Sequence, residues 1–292
     1  MRKILLPIVL IALFSTNCSR FFHKGDVDLR FGIDNNACKK MQGKTLIYLI
    51  FVDTKTTKPW SNFDLKSAVD SVKKTSYWLQ KQSGANNQDL KVQVDYFGSK
   101  SKTKTIAREL PKASIYESLD GATVSAGINK LNKYADDVCK KVLTAAFPVE
   151  SKNSKSSPRD KLISILREKY NVENVALMFM FNNYYKDDFS VTCNTLSKTE
   201  SEYAMTSYKS PTLIAQQVMS LFGAAGMGEY YVKSKNKNAK FALEEFPNDV
   251  MVNLGRDLNE LEIGEYSQYM IGWTDIVDKK YERFFYVSAE KE

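Results

Sequence analysis

The order of its predicted elements indicates that this chain forms an α+β domain, a twisted mixed β-sheet backed by long helices. Two apolar runs typical of buried strands, Thr45–Val52 and Val175–Asn182, are separated by two long stretches with helical spacing of apolar residues. A further helical stretch begins near Ser210. Many α/β folds share this order, so it defines a fold class and no more.

The first half of the chain supplies two strands and two helices. Thr45–Val52 is nearly all apolar and β-branched or aromatic, typical of a central strand buried on both faces. Phe63–Gln82 has helical spacing and is expected to pack across that strand, whereas Leu90–Phe97 alternates as a half-exposed strand does. Ala122–Ala146 repeats the helical spacing and predicts the second long helix.

The second half is less regular. Leu162–Tyr170 predicts a short helix that leads into the buried strand Val175–Asn182. Tyr184–Ser210 predicts irregular structure with an edge strand and loops. Near the C-terminus, Glu260–Ile271 predicts a helix and Phe284–Val287 a last short strand.

The segment Ser210–Gly226, SPTLIAQQVMSLFGAAG, predicts a helix with clear limits. Ser210 suits the N-cap, a proline follows at the first helical position, and Gly223 suits the end. Any buried helix of an ordinary α/β domain has such features, and Gln216 and Gln217 would then be solvated. The apolar face contains Leu213, Ile214, Val218, Leu221 and Phe222.

The same segment resembles the zinc-binding helix of the zincin metallopeptidases, especially their metzincin-like branch. In the H-E-x-x-H motif two imidazoles four residues apart hold the metal and the glutamate is the general base. Gln216, Gln217 and Ser220 stand at those positions here. The family's glycine turn is matched by Gly223, and Gly226 stands where the third ligand is expected.

Other segments extend this resemblance over roughly Lys44 to Asp275. Phe246–Met251 resembles the Met-turn that passes beneath the metal in that branch, with Met251 as its methionine. Tyr269–Asp275 resembles a helix-to-strand exit of secreted bacterial members. The resemblance implies a zincin-like fold with a former active-site helix and a Met-turn-like segment.

The composition argues against catalysis. His23 is the only histidine, so no shift of register restores a two-histidine zinc site. Glutamine and serine oxygens are poor zinc ligands, and the Gln217 amide cannot act as a base near neutral pH. A Ser-His-Asp or Cys-His site would also need His23, on the N-terminal tether. We therefore expect a pseudoenzyme with no catalytic residues, no bound metal and no cofactor.

The N-terminus predicts export and a lipid anchor. Two basic residues, the apolar run Ile4–Phe14 and a small-residue exit are typical of a signal peptide. Cys18 follows as in a bacterial lipoprotein box, although plain secretion is the alternative. The expected organisation is a signal peptide at 1–17, a lipidated tether at 18–43 and a zincin-like domain at 44–292. We expect a location at the outer membrane, on its periplasmic face.

Charge and cysteines add weaker constraints. The formal net charge of +8 comes mostly from scattered lysines, and no groove-reading motif accompanies them, so we expect no nucleic acid partner. Cys38, Cys139 and Cys193 define no disulfide framework. We expect buried thiols. A disulfide between Cys38 and either Cys139 or Cys193 is the alternative.

These observations favour a catalytically inactive, metallopeptidase-like lipoprotein that acts as a binding or scaffold subunit in the bacterial envelope. Its partner would be an envelope protein or complex, and the lipid anchor would hold it to the membrane. The alternative is an active envelope hydrolase or a metallopeptidase with a non-standard site. The former zinc positions would form the floor of a binding cleft, with a rim at Glu229, Tyr230 and Tyr231.

Overall fold

The structure is a computed structural model of the whole chain. It describes residues 27–28, 30, 37–110, 125–148, 156–182, 189–207, 209–224, 227, 237–253 and 255–287. Among the described helices, none is long and apolar enough to cross a bilayer.

A mostly parallel sheet forms the centre of the molecule. Its strands run in the order β3-β2-β5-β7-β6, with β4 paired to the end of β2. Every pair is parallel except β6 with β7. A separate antiparallel pair joins β1 to β8. The strands are β1 Val27–Asp28, β2 Gly43–Asp53, β3 Leu90–Tyr96, β4 Thr105–Ala107, β5 Asn174–Phe181, β6 Ser190–Cys193, β7 Tyr203–Thr206 and β8 Tyr286–Val287.

Helices cover both faces of this sheet. The helix Asn62–Ala85 begins with a capping box. The side chains of Ser61 and Asp64 each accept a hydrogen bond from the backbone N–H of the other residue. The helices are α1 Asn62–Ala85, α2 Ser125–Ala146, α3 Pro158–Tyr170, α4 Pro211–Leu221, α5 Lys237–Glu245 and α6 Glu265–Met270, with 3₁₀ turns at Leu258–Glu260 and Lys279–Phe284.

The alternation of side chains along β2 divides the core into two layers. Ile47, Leu49 and Phe51 pack with α1, α4 and the C-terminal segments, and we call this side the α4 face. Leu46 and Tyr48 point to the other side and pack with α2 and α3, which we call the α2 face. Because β2 and β5 are buried on both faces, their sequences are continuously apolar.

The predicted fold class is confirmed at the level of a mixed sheet with helices. The predicted helix Glu260–Ile271 is confirmed over Glu265–Met270, but its first part is wrong, because the chain is extended at Leu261 and helix begins only after Gly264. Glu262 there pairs with Asp249 in an isolated bridge, which occupies its backbone groups. The helix at Lys237–Glu245 is an addition that the sequence analysis did not predict.

The last residues of the predicted tether lie against the domain. The backbone N–H groups of Ala37 and Cys38 donate to the buried carboxylate of Glu202, at 2.8 and 3.3 Å. Met41 is fully buried, and its carbonyl accepts the indole N–H of Trp273 at 2.6 Å. Residues 37–42 are therefore a covering segment fixed to the sheet.

Candidate functional site

Helix α4 contains Gln216, Gln217 and Ser220, the positions that the resemblance aligns with zinc ligands and general base, and it has the predicted limits. Ser210 is the N-cap by backbone position, although its side chain makes no capping bond, and Pro211 is the first helical residue. After Leu221 the chain turns at Gly223, whose φ of 98° lies in the left-handed region that favours glycine. The predicted glycine turn is thus present at the end of the helix.

The two sides of α4 differ in burial. Leu213, predicted on the apolar side, is only partly buried and lies one turn before the former zinc positions. Gln216, Gln217 and Ser220 are also partly exposed, and they share the side of the helix that faces away from the core. The fully buried side contains Ile214, Ala215, Val218, Met219, Leu221 and Phe222.

The exposed side of α4 is joined to the edge of the sheet. The hydroxyl of Thr192 in β6 donates to Oε1 of Gln217 at 3.0 Å. Strand β6 is the last in its sheet, so within the described residues its outer edge has no strand partner. The contact between Thr192 and Gln217 was not predicted, because a threonine in a short strand carries no sign of the helix that it will contact.

The predicted Met-turn segment packs against the chain that follows α4. The N–H of Met227 donates to the carbonyl of Met251 at 2.9 Å. Met251 is fully buried in the same apolar cluster as Val218 and Met219 of α4. The Met251 segment is therefore bonded to the chain just after α4 and shares an apolar cluster with the buried side of that helix.

A buried carboxylate shapes the turn at Met251. Asp249 is 1 % exposed, and its two oxygens accept the N–H groups of Met251 at 2.6 Å and Gly264 at 2.9 Å. Burial raises the pKa of Asp249 to about 6, while these N–H donors oppose the rise. A Cβ at Gly264 would lie 2.6 Å from Oδ2 of Asp249, so a larger residue there would displace the carboxylate.

The segment Tyr269–Asp275 ends a helix but leads into no strand. Helix α6 ends at Met270, and Gly272 turns the chain with a φ of 78°. Within residues 271–285 there are turns and a 3₁₀ segment only, so the expected exit into a strand is wrong. Trp273 instead binds the covering segment at Met41.

The three cysteines within the described ranges, Cys38, Cys139 and Cys193, are buried free thiols, as expected, and neither Cys38–Cys139 nor Cys38–Cys193 forms a disulfide. Cys38 lies on the α4 face, where its thiol donates to the carbonyl of Val175, while Cys139 and Cys193 lie on the α2 face. Burial raises the pKa of the Cys193 thiol to about 11, so it is protonated and unreactive at neutral pH.

Several predicted positions lie outside the described residues. They are the lipidation site Cys18, the single histidine His23, the third-ligand position Gly226 and the rim residues Glu229, Tyr230 and Tyr231. Across the described ranges, no three His, Cys, Asp or Glu side chains lie close enough together to hold a metal ion.

The described part of the site offers amides, hydroxyls and an open strand edge. Such groups donate and accept hydrogen bonds but do not exchange protons near neutral pH. Comparisons with protein-family models, curated proteins and solved structures found no match to this chain. The zincin resemblance therefore stays a prediction.

Proposed function

We propose that this chain is a zincin-like metallopeptidase relative without catalytic activity, acting as a binding or scaffold subunit in a bacterial envelope. One observation carries the proposal: the exposed side of α4, with Gln216, Gln217 and Ser220, adjoins the edge strand β6, and the buried side of α4 shares an apolar cluster with Met251. This supports a peptidase-type arrangement of helix, edge strand and methionine turn.

The chemistry of these side chains favours binding over cleavage. Two amides and a hydroxyl replace two imidazoles and a general base, so the site lacks the groups that hold zinc and activate water. Oxygen and nitrogen atoms of glutamine remain good partners for a peptide backbone. A bound segment would be held and not cut.

The open edge of β6 supplies a way to bind an extended segment. Its outer backbone N–H and C=O groups point away from β7, which pairs only with the inner edge. An added strand would satisfy these groups and would place alternate side chains on the α4 face of the sheet. The bound partner would be an exposed, extended segment of another envelope protein.

The predicted signal peptide and a lipid on Cys18 would hold this activity at the outer membrane, on its periplasmic side. The covering segment at residues 37–42 fixes the start of the domain to its sheet. The anchor would therefore hold the whole domain, including its open strand edge, near the bilayer.

Restoring the zinc ligands tests the inferred scaffold. The variant Q216H/Q217E/S220H/G226D recreates the full motif on α4. A zincin-type geometry should then bind one zinc ion per chain, because both imidazoles and the new carboxylate converge on one point. Calorimetric titration with zinc measures the stoichiometry and affinity.

A register-shifted variant is the control. L213H/Q217H/G226D places two histidines at the same spacing one turn earlier, at positions that are also partly exposed. It should bind zinc more weakly, as an isolated pair does. Equal affinity in the two variants would refute the zincin-type scaffold, and stoichiometric zinc in the purified wild-type protein would refute the loss of the site.

The binding role needs a separate experiment. A photo-crosslinking residue at Ser220 should capture an envelope partner in native membranes, whereas the same residue at Thr144, exposed on α2, should not. Adding Gln216→Trp should abolish capture from position 220 by filling the site. Equal capture from both positions would place the partner elsewhere.

A further inference from the structure

The outward side of α1 has an unusual combination of charge and exposed aromatic rings. Its apolar side packs on the sheet and on α4, where the Thr75 hydroxyl donates to the carbonyl of Pro211 at 2.8 Å. The opposite side is exposed along the whole helix. It presents the lysines Lys66, Lys73, Lys74 and Lys81.

Two aromatic side chains stand among these lysines. Phe63 is 78 % exposed and Tyr77 is 72 % exposed. They are half of the large apolar or aromatic side chains found exposed in the described ranges, the others being Leu243 and Ile276. Positions two heptads apart lie on nearly the same stripe of a helix, so both rings project from one surface.

The charge of this surface is largely uncompensated. Asp70 is its one exposed carboxylate. None of the ion pairs found in the described ranges includes the four lysines. The surface therefore attracts anions and offers no internal partner for its ammonium groups.

Helix α2, on the other face of the sheet, shows that lysines alone do not make such a surface. It exposes the same number of them, at Lys130, Lys133, Lys140 and Lys141. No large apolar side chain of the described part of α2 is exposed beside them. The Lys141 ammonium also donates to the carbonyl of Ala107 at 2.6 Å.

We propose that the outward side of α1 binds the surface of an anionic phospholipid bilayer. Each lysine near an anionic leaflet contributes about 1 kcal/mol, and rings of the Phe63 and Tyr77 type bury favourably at the interface. Lysine acts as a point charge without the planar fork that recognises particular carboxylates, which favours headgroups over an acidic protein.

The N-terminal attachment makes this geometry reachable. Strand pairing of Val27 and Asp28 with β8 ties the chain to the domain there. Fully extended, the stretch from the predicted lipid at Cys18 to Val27 reaches about 30 Å. The inference is independent of the proposed scaffold role.

Vesicle binding tests the proposal with the mature chain carrying Cys18→Ser, so that no lipid is attached. The protein should co-sediment with vesicles of phosphatidylethanolamine and phosphatidylglycerol but not with phosphatidylcholine vesicles. The variant K66E/K73E/K74E/K81E should bind at least about a hundredfold more weakly at physiological ionic strength. F63S/Y77S should weaken binding about tenfold.

The variant K130E/K133E/K140E/K141E is the matched control, since it changes the net charge by the same amount on α2. Its affinity for the anionic vesicles should fall by no more than about threefold, because salt screens the attraction between the bilayer and charges far from it. Circular dichroism and a thermal melt check that each variant is folded. Equal losses in the two lysine variants, or no binding by the parent protein, would overturn the proposal and leave an acidic protein as the partner of α1.

A fluorescent probe locates the contact directly. In the variant F63W, the fluorescence of the new tryptophan should be quenched by brominated lipid in the anionic vesicles. In the variant A145W, at an exposed position of α2, the fluorescence of the new tryptophan should not be quenched. Quenching at position 145 alone would assign the membrane contact to the wrong side and refute it.

Discussion

Polar side chains are buried on both faces of the central sheet. They surround a cation on one face and a carboxylate on the other. On the α2 face the centre is the guanidinium of Arg159, 2 % exposed, with Asp136 at 3.8 Å and Glu200 at 3.5 Å. On the α4 face the centre is the carboxylate of Asp249, whose described partners include two backbone N–H groups. One face uses a network of side chains, and the other uses the backbone.

The network around Arg159 joins separate parts of the chain. The guanidinium donates to Oδ1 of Asn132 at 3.3 Å and lies 4.9 Å from the centre of the Tyr203 ring. Asn132 also accepts from the Tyr203 hydroxyl at 3.0 Å and from the Asn194 amide at 2.8 Å. Helices α2 and α3 are thus fastened to the connection between β6 and β7.

The contrast separates structural polar groups from available ones. Arg159 and Asp249 contact charged groups or hydrogen-bonding groups of the fold, although within the described residues the buried Nε of Arg159 donates no hydrogen bond and Oδ1 of Asp136 accepts none. Gln216 and Ser220 on α4 are partly exposed, and their side chains form no hydrogen bond in the described part of the structure. We infer that the first set stabilises the fold, while the second set is available to a ligand.

The largest expected effect comes from the α2 face. Arg159→Met should destabilise the protein by about 3 to 5 kcal/mol, because it leaves two carboxylates without their buried cation. Arg108→Met is the control, since Arg108 pairs with Asp137 at the surface and should contribute about 1 kcal/mol or less. Urea unfolding measures both values, and equal losses would contradict a structural role for the network.

On the α4 face, Asp249→Asn should cost about 1 to 3 kcal/mol, because an amide has one acceptor oxygen for two N–H donors. Urea unfolding at neutral pH measures the loss. A neutral result would show that the turn at Met251 does not depend on this side chain.

The stability of D249N should depend on pH differently from that of the wild-type protein. The pKa of Asp249 is about 6 in the folded protein, whereas an unfolded aspartate titrates near its ordinary value of about 4. The folded state therefore binds the extra proton between these values, and stability falls as pH rises through them. The asparagine of D249N does not titrate. The difference in free energy of unfolding between wild type and D249N should therefore shrink as the pH rises from about 4 to about 6. A constant deficit would contradict the raised pKa.

A smaller effect is expected where α4 ends. Gly223→Ala should cost about 1 to 2 kcal/mol, because its positive φ is unfavourable for any residue with a Cβ. Gly84→Ala is the control, since nothing lies within 4 Å of a Cβ added there near the end of α1. That change should be neutral or stabilising by up to about 1 kcal/mol. Thermal unfolding of the pair decides whether the glycine turn is required.

The smallest effect concerns the link between α4 and the sheet edge. Thr192→Val removes the hydrogen bond to Gln217 and should cost about 0.5 to 1 kcal/mol. Hydrogen exchange of the β6 amides should then accelerate by no more than about fivefold. Acceleration throughout the sheet would show that the contact supports the whole fold, and not only its edge.

The regular elements were predictable where a pattern is local. The apolar runs of β2 and β5 and the limits of α4 at Ser210 and Gly223 follow from neighbouring residues. The C-terminal helix was predicted to begin too early, because apolar spacing around Glu262 carries no sign that its backbone pairs with Asp249. Periodicity reports which side of an element is apolar, but not which distant backbone will occupy it.

The amino-acid order determined where the buried strands lie, how α4 begins and ends, and that the motif positions hold no histidine. Folding decided that Gln217 contacts β6, that Asp249 serves Met251 and Gly264, and that Arg159 is buried among groups from three elements. The physical reason is distance along the chain. Backbone preference and apolar spacing act over a few residues, whereas a buried charge finds its partners only after separate elements have packed together.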